Sequence, residues 1–273
     1  MTRREHSTLT TNASDLARRA EEAGLNALPA PRQVLLDGWL LRFADGCTRR
    51  ANSVNPLWPG GALGIDDRIR RCAALYAAQG LPCLFRIPSF QPPGLDAALD
   101  NHGYAPSEGE TRILFRSGAS RPSLDGDDAG AADVELAEGQ PGAEWLDAQA
   151  RIAGDTARMA NARQAMLASL VIPAAFGAVR LDGPEAPLAS LAYVAVHGGL
   201  ACVNMVATAP AARRRGLSRR VLLRLLAWAQ GVGAEGACLQ VVADNAAAIP
   251  LYVGLGFQTE LYRYHCRRLD RAE

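Results

Sequence analysis

The segment "ATAPAARRRGLSRRVLL", Ala207 to Leu223, places three consecutive arginines and a glycine directly before an apolar helical run. An apolar strand, Leu200–Thr208, precedes it, and the leucines predict a helix from about Leu217 to Gln230. The first turn of a helix has unpaired backbone N–H groups and the positive end of the helix dipole, which attract anions. The arginines are therefore either a solvated basic patch or part of a loop that binds an anionic ligand.

The composition of the 273-residue chain limits the classes of function. A formal net charge of +1 gives no overall basic field for nucleic acid or an acidic membrane surface, and no apolar run is long enough to span a bilayer. The N-terminal residues lack the apolar core of a signal peptide. The six cysteines are scattered without a C-x-x-C pair, so we expect no metal site and free thiols in a reducing cytoplasm.

A segment poor in large apolar residues, Ser117–Asp133, divides the chain into two parts of similar size. Its Gly, Ala, Ser, Asp and Pro content is typical of a linker. Both parts show the order hairpin, helix, strand, short helix, strand, which indicates a degenerate internal duplication. We therefore predict an N-terminal domain over 1–118, a linker over 119–132 and a C-terminal domain over 133–273.

Two motifs of the second part resemble those of the GNAT superfamily of N-acetyltransferases. The acyl-CoA motif of that family, R/Q-x-x-G-x-G/A, is matched by Arg213 to Ser218, with Ser in place of the last Gly or Ala. Downstream, "DNAAAIPLYVGLGF" matches the second motif through Asn245, Leu251-Tyr252 and Gly256-Phe257, and its "NAAAIPLYVGLG" predicts a helix distorted by an internal proline. The motifs stand in the family's order and spacing, and the resemblance covers Asp133 to about Arg268.

The resemblance implies an α+β (mixed α/β) fold with two GNAT-like domains, each a mixed, mostly antiparallel sheet flanked by helices. It also implies that the fourth and fifth strands of the C-terminal sheet, Leu200–Thr208 and Ala237–Val242, splay apart and form a cofactor slot. The whole chain resembles bacterial tandem members in which one half keeps the cofactor loop. In the first half, "NSVNPLWPGGALGIDD" stands in place of that loop, and Asp66 and Asp67 at its helix start would repel a pyrophosphate. One cofactor is therefore expected, bound by the second half.

Members of the family bind acetyl-CoA through this loop and the strand before it. The resemblance implies that loop amides and guanidinium groups hold the pyrophosphate, and Gly216 allows close approach because it has no Cβ. Backbone groups at the end of the strand would pair with the pantetheine arm, and one N–H would polarise the thioester carbonyl. Asn245 would bond the cofactor arm or cap its helix. The expected cofactor-binding residues are Val206, Ala207, Thr208, Arg213, Arg214, Arg215, Gly216, Leu217, Ser218, Asn245 and Tyr252.

The resemblance makes Tyr252 the expected catalytic acid, which would protonate the leaving thiolate. The alternative is that Tyr252 is a half-buried packing residue with a bonded hydroxyl. No carboxylate lies in the strand "LACVNMVAT", and its Asn204 cannot act as a base. A water relay is one possible base, and the other candidates are chosen by residue type alone: Asp244, Glu235, His197 and His265.

The stretch "TRRANSV", in one of two strand-like runs joined at Asp45-Gly46, is unusually polar for a strand. One interpretation is that its polar residues reach an acceptor pocket between the two halves, where ligand sites often form. The other is an edge strand with solvated side chains. The residues concerned are Arg49, Arg50, Asn52 and Ser53.

The leading hypothesis is an enzyme that transfers an acetyl group from acetyl-CoA to the primary amine of a small molecule by direct attack. An acyl-CoA-binding sensor or assembly module without turnover is the alternative, and a longer acyl group is a third possibility. We expect neither nucleic acid nor a membrane as a partner. The sequence gives no indication of the oligomeric state.

Overall fold

A computed structural model describes residues 13–58, 61–91, 94–118 and 133–269 of the chain. The predicted linker, 119–132, lies outside these residues. The helices in the described part are α1 Ala13–Ala27, α2 Ile65–Ala78, α3 Leu95–Asn101, α4 Ala143–Ala153, α5 Ala157–Ala168, α6 Leu217–Gly231 and α7 Ile249–Gly254. The strands are β1 Arg32–Leu36, β2 Trp39–Phe43, β3 Val54–Pro56, β4 Cys83–Pro88, β5 Ala105–Ser117, β6 Glu135–Glu138, β7 Ala174–Arg180, β8 Leu188–His197, β9 Leu200–Thr208, β10 Gly236–Val242 and β11 Thr259–Leu269.

These strands form one mixed sheet in the order β1-β2-β3-β4-β11-β5-β10-β9-β8-β7-β6. The final strand of the second half, β11, lies between β4 and β5 of the first half and is antiparallel to both. The final strand of the first half, β5, lies between β11 and β10. Each half therefore completes its sheet with a strand that borders the other half. The predicted mixed α+β architecture is confirmed, and the boundaries 1–118 and 133–273 stay a prediction.

Helices cover both faces of this sheet. Apolar residues of α1, α4 and α5 form one buried layer, and those of α6 and α7 form a second layer beneath the C-terminal half. A third layer packs α2 and α3 against β2 and β4. Alternate residues of a strand point to opposite faces, so Ile113 joins the first layer and Leu114 the second. All six cysteines are buried free thiols, as predicted. Within the described ranges, no helix combines the length and apolarity needed to cross a bilayer.

The N-terminal hairpin differs from the prediction. β1 and β2 pair through a two-residue turn at Asp37-Gly38, where φ is positive at both residues, as a tight hairpin turn requires. Asp45-Gly46 is also a turn, but no strand follows it directly. Instead, Arg49–Ala51 form a 3₁₀ turn, and β3 begins at Val54 in the interior of the sheet. The prediction of a strand over "TRRANSV" is therefore wrong.

A buried ion pair joins α1 to the sheet where the two halves meet. The Glu21 carboxylate accepts two hydrogen bonds from the Arg86 guanidinium, one of them 2.9 Å long, and a third from the Tyr262 hydroxyl. Arg86 also lies over the Tyr264 ring, 3.8 Å from its centroid. Burial alone would raise the pKa of Glu21, but the Arg86 charge and these hydrogen bonds lower it below its usual range. Glu21 thus joins α1 to β4 of the first half through Arg86 and to β11 of the second half through Tyr262.

Replacement Glu21→Gln should destabilise the protein by about 3–5 kcal/mol, because Arg86 would be left as a buried cation without a counter-charge. Urea denaturation at pH 7 measures the difference. The matched control is Glu22→Gln, which removes an exposed carboxylate that pairs with His197 at the surface and should cost less than about 1 kcal/mol.

The same comparison has a pH dependence with a defined sign. The pKa of Glu21 is lowered in the folded state, so its stabilisation is present above the ordinary glutamate pKa and is lost as the pH falls through the lowered value. The difference between wild type and Glu21→Gln should therefore shrink on acidification. A difference that grows below pH 4 would contradict this assignment.

Candidate active site

Strands β9 and β10 are paired over only part of their length. The parallel register runs from Leu200 opposite Gly236 to Val203 opposite Leu239 and then stops. Beyond it, Gln240–Val242 pair with β5 alone, whereas β9 continues against β8. The register of β9 shifts there, and Met205 has φ 51°, which marks a β-bulge that turns β9 away from β10. The predicted splay is present.

The alternation of antiparallel pairing shows which main-chain groups face this slot. Ala209 donates its N–H to the carbonyl oxygen of Ala189, the second residue of β8, at 2.8 Å. Neighbouring residues alternate in direction, so the N–H and C=O of Thr208 point away from β8 and into the slot. Ala207, in register with Leu191, directs its groups toward β8. Of these two predicted contacts, Thr208 is the one whose main chain faces the slot. Its carbonyl oxygen accepts a hydrogen bond from the Arg213 Nε at 3.4 Å, and its N–H points toward a ligand.

The loop after β9 borders a cavity of about 560 Å³, which we call the loop cavity. Gly216 precedes the first residue of α6 with φ 73°, and Arg214 also has a left-handed backbone at φ 62°. A Cβ built on Gly216 would meet nothing within 4 Å, so the space above its main chain is open. The cavity brings together six of the predicted residues: Thr208, Arg213, Arg214, Gly216, Leu217 and Ser218.

Four lining residues are not among the predicted ones: Ala212 and Arg219 beside the loop, and two residues of a distant segment, Ala247 and Leu251. Ala247 and Leu251 belong to the "NAAAIPLY" segment that the resemblance identified. Their closeness in sequence to Tyr252 is the signal that could have identified them. The predicted Arg215 is exposed and is not part of the described lining. The other predicted residues outside it are Val206, Ala207, Asn245 and Tyr252.

Three hydroxyl groups join the start of α6 to the end of β9. The Thr208 Oγ1 lies 2.6 Å from the Ser218 Oγ and 2.8 Å from the Ser190 Oγ, and the two serine oxygens are 3.3 Å apart. Ser190 is fully buried and also donates to the Ala207 carbonyl oxygen at 3.1 Å. The serine that replaces Gly or Ala in the motif is thus part of a hydroxyl cluster, Ser190, Thr208 and Ser218, that holds the loop on the sheet.

Helix α7 is shorter than predicted and places Tyr252 in a buried position. It begins at Ile249, so Pro250 lies in its first turn, where a missing N–H disrupts no helical hydrogen bond. The prediction that Pro250 distorts a longer helix from within is therefore wrong. Asn245 lies before α7, and its Oδ1 accepts the Ala248 N–H at 3.1 Å. This side chain caps the turn that leads into the helix.

Tyr252 is 8% exposed, and its ring packs edge-on against Phe257. Its hydroxyl forms no hydrogen bond with another described residue, so its proton is available to a ligand. Burial raises the pKa of Tyr252, and the positive charge of Arg50 opposes the increase. The phenol is therefore protonated at neutral pH, as a proton donor must be.

A second cavity of about 200 Å³, which we call the inter-half cavity, lies on the α1 face of the sheet. The first half contributes Arg49, Arg50 and Arg86, and β10 contributes Gln240 and Val242. The Arg50 Nη1 donates to the Asn204 Oδ1 in β9 at 3.0 Å. Arg50 thus crosses from the first half to the strand that borders the slot.

The other polar residues of "TRRANSV" have structural contacts. The Asn52 Oδ1 accepts the N–H groups of Ala44 and Gly46, and its Nδ2 donates to the Thr48 carbonyl oxygen. Ser53 is fully buried, and its hydroxyl donates to the Arg50 carbonyl oxygen. Arg49 and Arg50 therefore line the cavity between the halves, and Asn52 and Ser53 shape the loop that presents them.

No carboxylate or imidazole is present among the described lining residues of either cavity. His197 contacts Glu22 and His265 contacts Asp96, both at the protein surface. Glu235 lies at the paired end of β9 and β10, where its N–H bonds the Gly199 carbonyl oxygen, and Asp244 is exposed beyond β10. The candidate bases chosen by residue type are thus not brought into the site.

Comparison with known proteins agrees with this geometry. Residues 14–267 match the family described as "Probable histone acetyltransferase Rv0428c C-terminal". The chain is 28% identical to the uncharacterized N-acetyltransferase YobR of Bacillus subtilis (strain 168) over 255 residues, which cover 93% of this chain and 98% of that protein.

Two solved structures share the fold. A GCN5-related N-acetyltransferase from Kribbella flavida superposes with a TM-score of 0.66 at 20% identity, over 96% of this chain and 97% of that one. A tandem GNAT protein from the clavulanic acid biosynthesis pathway gives a TM-score of 0.67 at 16% identity, over 98% and 97% of the two chains. The similarity extends across both halves and therefore includes the tandem arrangement.

Replacement Ser190→Ala should destabilise the protein by about 1–2 kcal/mol, because it removes the central member of the buried hydroxyl cluster. The matched control is Ser169→Ala, which removes an exposed hydroxyl bonded to the Ala165 carbonyl oxygen and should change stability by less than about 0.5 kcal/mol. Denaturant midpoints measure both. Equal effects of the two substitutions would show that the cluster does not stabilise the loop.

Proposed function

Because the chain belongs to the family described as "Probable histone acetyltransferase Rv0428c C-terminal" and is an acetyltransferase of the GNAT type, we propose that it transfers an acetyl group from acetyl-CoA to the primary amine of a small molecule. The observation that carries the proposal is the parting of β9 and β10 directly before the loop cavity. Thr208 belongs to both features, since it faces the slot and lines the cavity. An extended thioester with an anionic end fits this combination of features.

The loop residues supply the contacts for the anionic end of acetyl-CoA. The first-turn amides of α6 have no intrahelical partner, and the open space above Gly216 lets phosphate oxygens approach them. Arg213 and Arg214 line the same cavity and add charge-assisted hydrogen bonds. The main-chain N–H of Thr208 faces the extended arm in the slot. Acetyl-CoA supplies the acetyl group as a thioester.

Tyr252 would then donate its proton to the sulfur that leaves as the amine nitrogen forms its bond to the acyl carbon. The nitrogen releases one proton to water, and Tyr252 recovers its proton from solvent, so the step is balanced. The unengaged hydroxyl supports the role of an acid, and the raised pKa of Tyr252 keeps this group protonated at neutral pH.

The specific observation that favours a second function is the lack of a carboxylate or imidazole among the described cavity-lining residues. A protein that binds acyl-CoA as a sensor needs no base and no turnover. The two functions differ in their need for the Tyr252 hydroxyl. An enzyme requires this group for turnover, whereas a sensor does not.

Replacement Gly216→Ala should weaken the binding of coenzyme A at least about tenfold, because the new methyl group would stand in the open space where phosphate oxygens approach. Titration calorimetry measures the affinity. The matched control is Gly233→Ala beyond the other end of α6, where φ is 95° and a Cβ also meets nothing. Both substitutions strain a left-handed backbone, but only the first lies in the cavity. If both variants bind coenzyme A equally well, the proposed site is wrong.

Replacement Tyr252→Phe should lower kcat by about 10²–10⁴-fold while the affinity for coenzyme A stays nearly unchanged. Wild-type activity should fall as the pH rises above the raised pKa of Tyr252, and this alkaline limb should be absent from the variant. Tyr104→Phe, which changes a buried tyrosine of the first half, serves as the control and should keep full activity. Full turnover by Tyr252→Phe would exclude the acid role, and no turnover by wild type with bound coenzyme A would favour the sensor.

A further inference from the structure

We propose that the acceptor is an amine that also carries an anionic group, and that Arg50 binds this group in the inter-half cavity. The inference rests on the proposed function and names the substrate class of the same site. It is carried by the position of the cavity at the slot, by the charge of its lining and by its size.

The inter-half cavity lies where β9 and β10 part. Its β10 residues, Gln240 and Val242, come directly after Leu239, the last residue of β10 that is paired with β9. Asn204 is the first residue of β9 beyond the paired stretch, and it accepts a hydrogen bond from Arg50. An acceptor in this cavity would therefore reach the slot from the side of the first half. A groove beside Trp58 and Phe90 is larger, but its described lining contains no residue of β9 or β10.

The charge of the cavity lining is positive. Its described residues include Arg49, Arg50 and Arg86 and no acidic side chain. Glu21 lies beside the cavity, but both oxygens of its carboxylate already bond the Arg86 guanidinium. The Arg86 charge is thus compensated, whereas Arg50 bonds the neutral Asn204 side chain and keeps its positive charge beside the cavity.

A fourth arginine behind the cavity holds this arrangement in place. Arg42 is 1% exposed, and its guanidinium donates to the carbonyl oxygens of Leu25, Leu28 and Arg50. The bond to the Arg50 carbonyl oxygen fixes the 3₁₀ turn that carries Arg49 and Arg50. Burial and the charge of Arg86 lower the pKa of Arg42 to about 10, which agrees with a positive local field.

Such a site selects its ligand by charge. A guanidinium group binds carboxylate or phosphate oxygens through charge-assisted hydrogen bonds, whereas polyamines and lysine-rich chains are repelled. A volume of about 200 Å³ is below the range of drug-sized ligand sites and suits a group of amino-acid size. The site therefore fits a small acidic amine better than a basic protein tail.

The positive charge of Arg50 also bears on how the amine loses its proton, because the described cavity linings contain no carboxylate or imidazole to act as a base. A positive charge near an amine disfavours its protonated form and lowers its pKa. Arg50, in binding the anionic group, would thus increase the neutral fraction of the amine that attacks. The proton then passes to water, and no carboxylate or imidazole is needed in the lining.

The test compares amines that carry an anionic group with amines that are neutral or positively charged elsewhere in the molecule. With acetyl-CoA as donor, α- and ω-amino acids are assayed against their carboxamides, aminoalkylphosphonates of matched length and spermidine, by release of the coenzyme A thiol and by product mass. We expect kcat/KM for the amino acids to exceed that of the carboxamides by about 10- to 100-fold, the range of a hydrogen bond to a charged group. The phosphonates distinguish recognition of a carboxylate from recognition of a phosphate.

Replacement Arg50→Gln should reduce the preference for the acidic amine by at least about tenfold, mainly through KM, and change the carboxamides little. Arg50→Lys, which keeps the charge, should restore part of the preference. Arg158→Gln changes an exposed arginine of α5 outside both cavity linings and should behave as wild type. Equilibrium binding of the amino acid in the presence of coenzyme A gives a readout that does not depend on turnover.

The outcomes separate the two proposals. Failure of the wild-type protein to bind coenzyme A would refute the proposed function. Binding of coenzyme A with a preference for carboxamides or spermidine would overturn only the acidic-amine inference. A preference for amino acids that persists unchanged in Arg50→Gln would also overturn it, because the assigned residue would not be responsible.

Discussion

The parting of β9 and β10 after four paired residues is the constraint on which the candidate site depends. A sheet normally satisfies its main-chain hydrogen bonds between neighbouring strands. Here the bulge at Met205 leaves groups of both strands unpaired over the last residues of each, and an extended ligand can complete the pattern as a strand would. The loop at Gly216 follows directly, so one end of the slot has exposed amides and positive charge. The other end opens on the cavity that contains Arg50.

The second half alone does not provide this arrangement. Strand β5 pairs with β10 over seven residues and keeps Gln240–Val242 in the sheet after β9 has turned away. The loop that carries Arg50 is held by Asn52 and Arg42, which belong to the first half. Under the proposed function, the first half would therefore contribute to the reaction, since it supports one wall of the slot and supplies positive charge at its end.

Local sequence patterns predicted the parts of the site that depend on local structure. The strand, the glycine and the apolar helix around Gly216 form one continuous segment, and their order determines the loop. The hydrogen bond from Arg50 to Asn204 joins residues 154 positions apart, and no periodicity in either segment indicates it. The exchange of β5 and β11 escaped prediction for the same reason, because apolar strands of similar length do not reveal their neighbours. Asn245 was ambiguous because an amide side chain caps a turn and binds a ligand with the same atoms.

The position of β11 between β4 and β5 has a consequence for biogenesis. A ribosome delivers the chain from its N-terminus, so the first half leaves the exit tunnel long before β11 is made. Until then, β4 and β5 each have a bare edge, and nascent chains with such edges are prone to aggregate. The native sheet around β4 and β5 can therefore close only after the last strand has been synthesised.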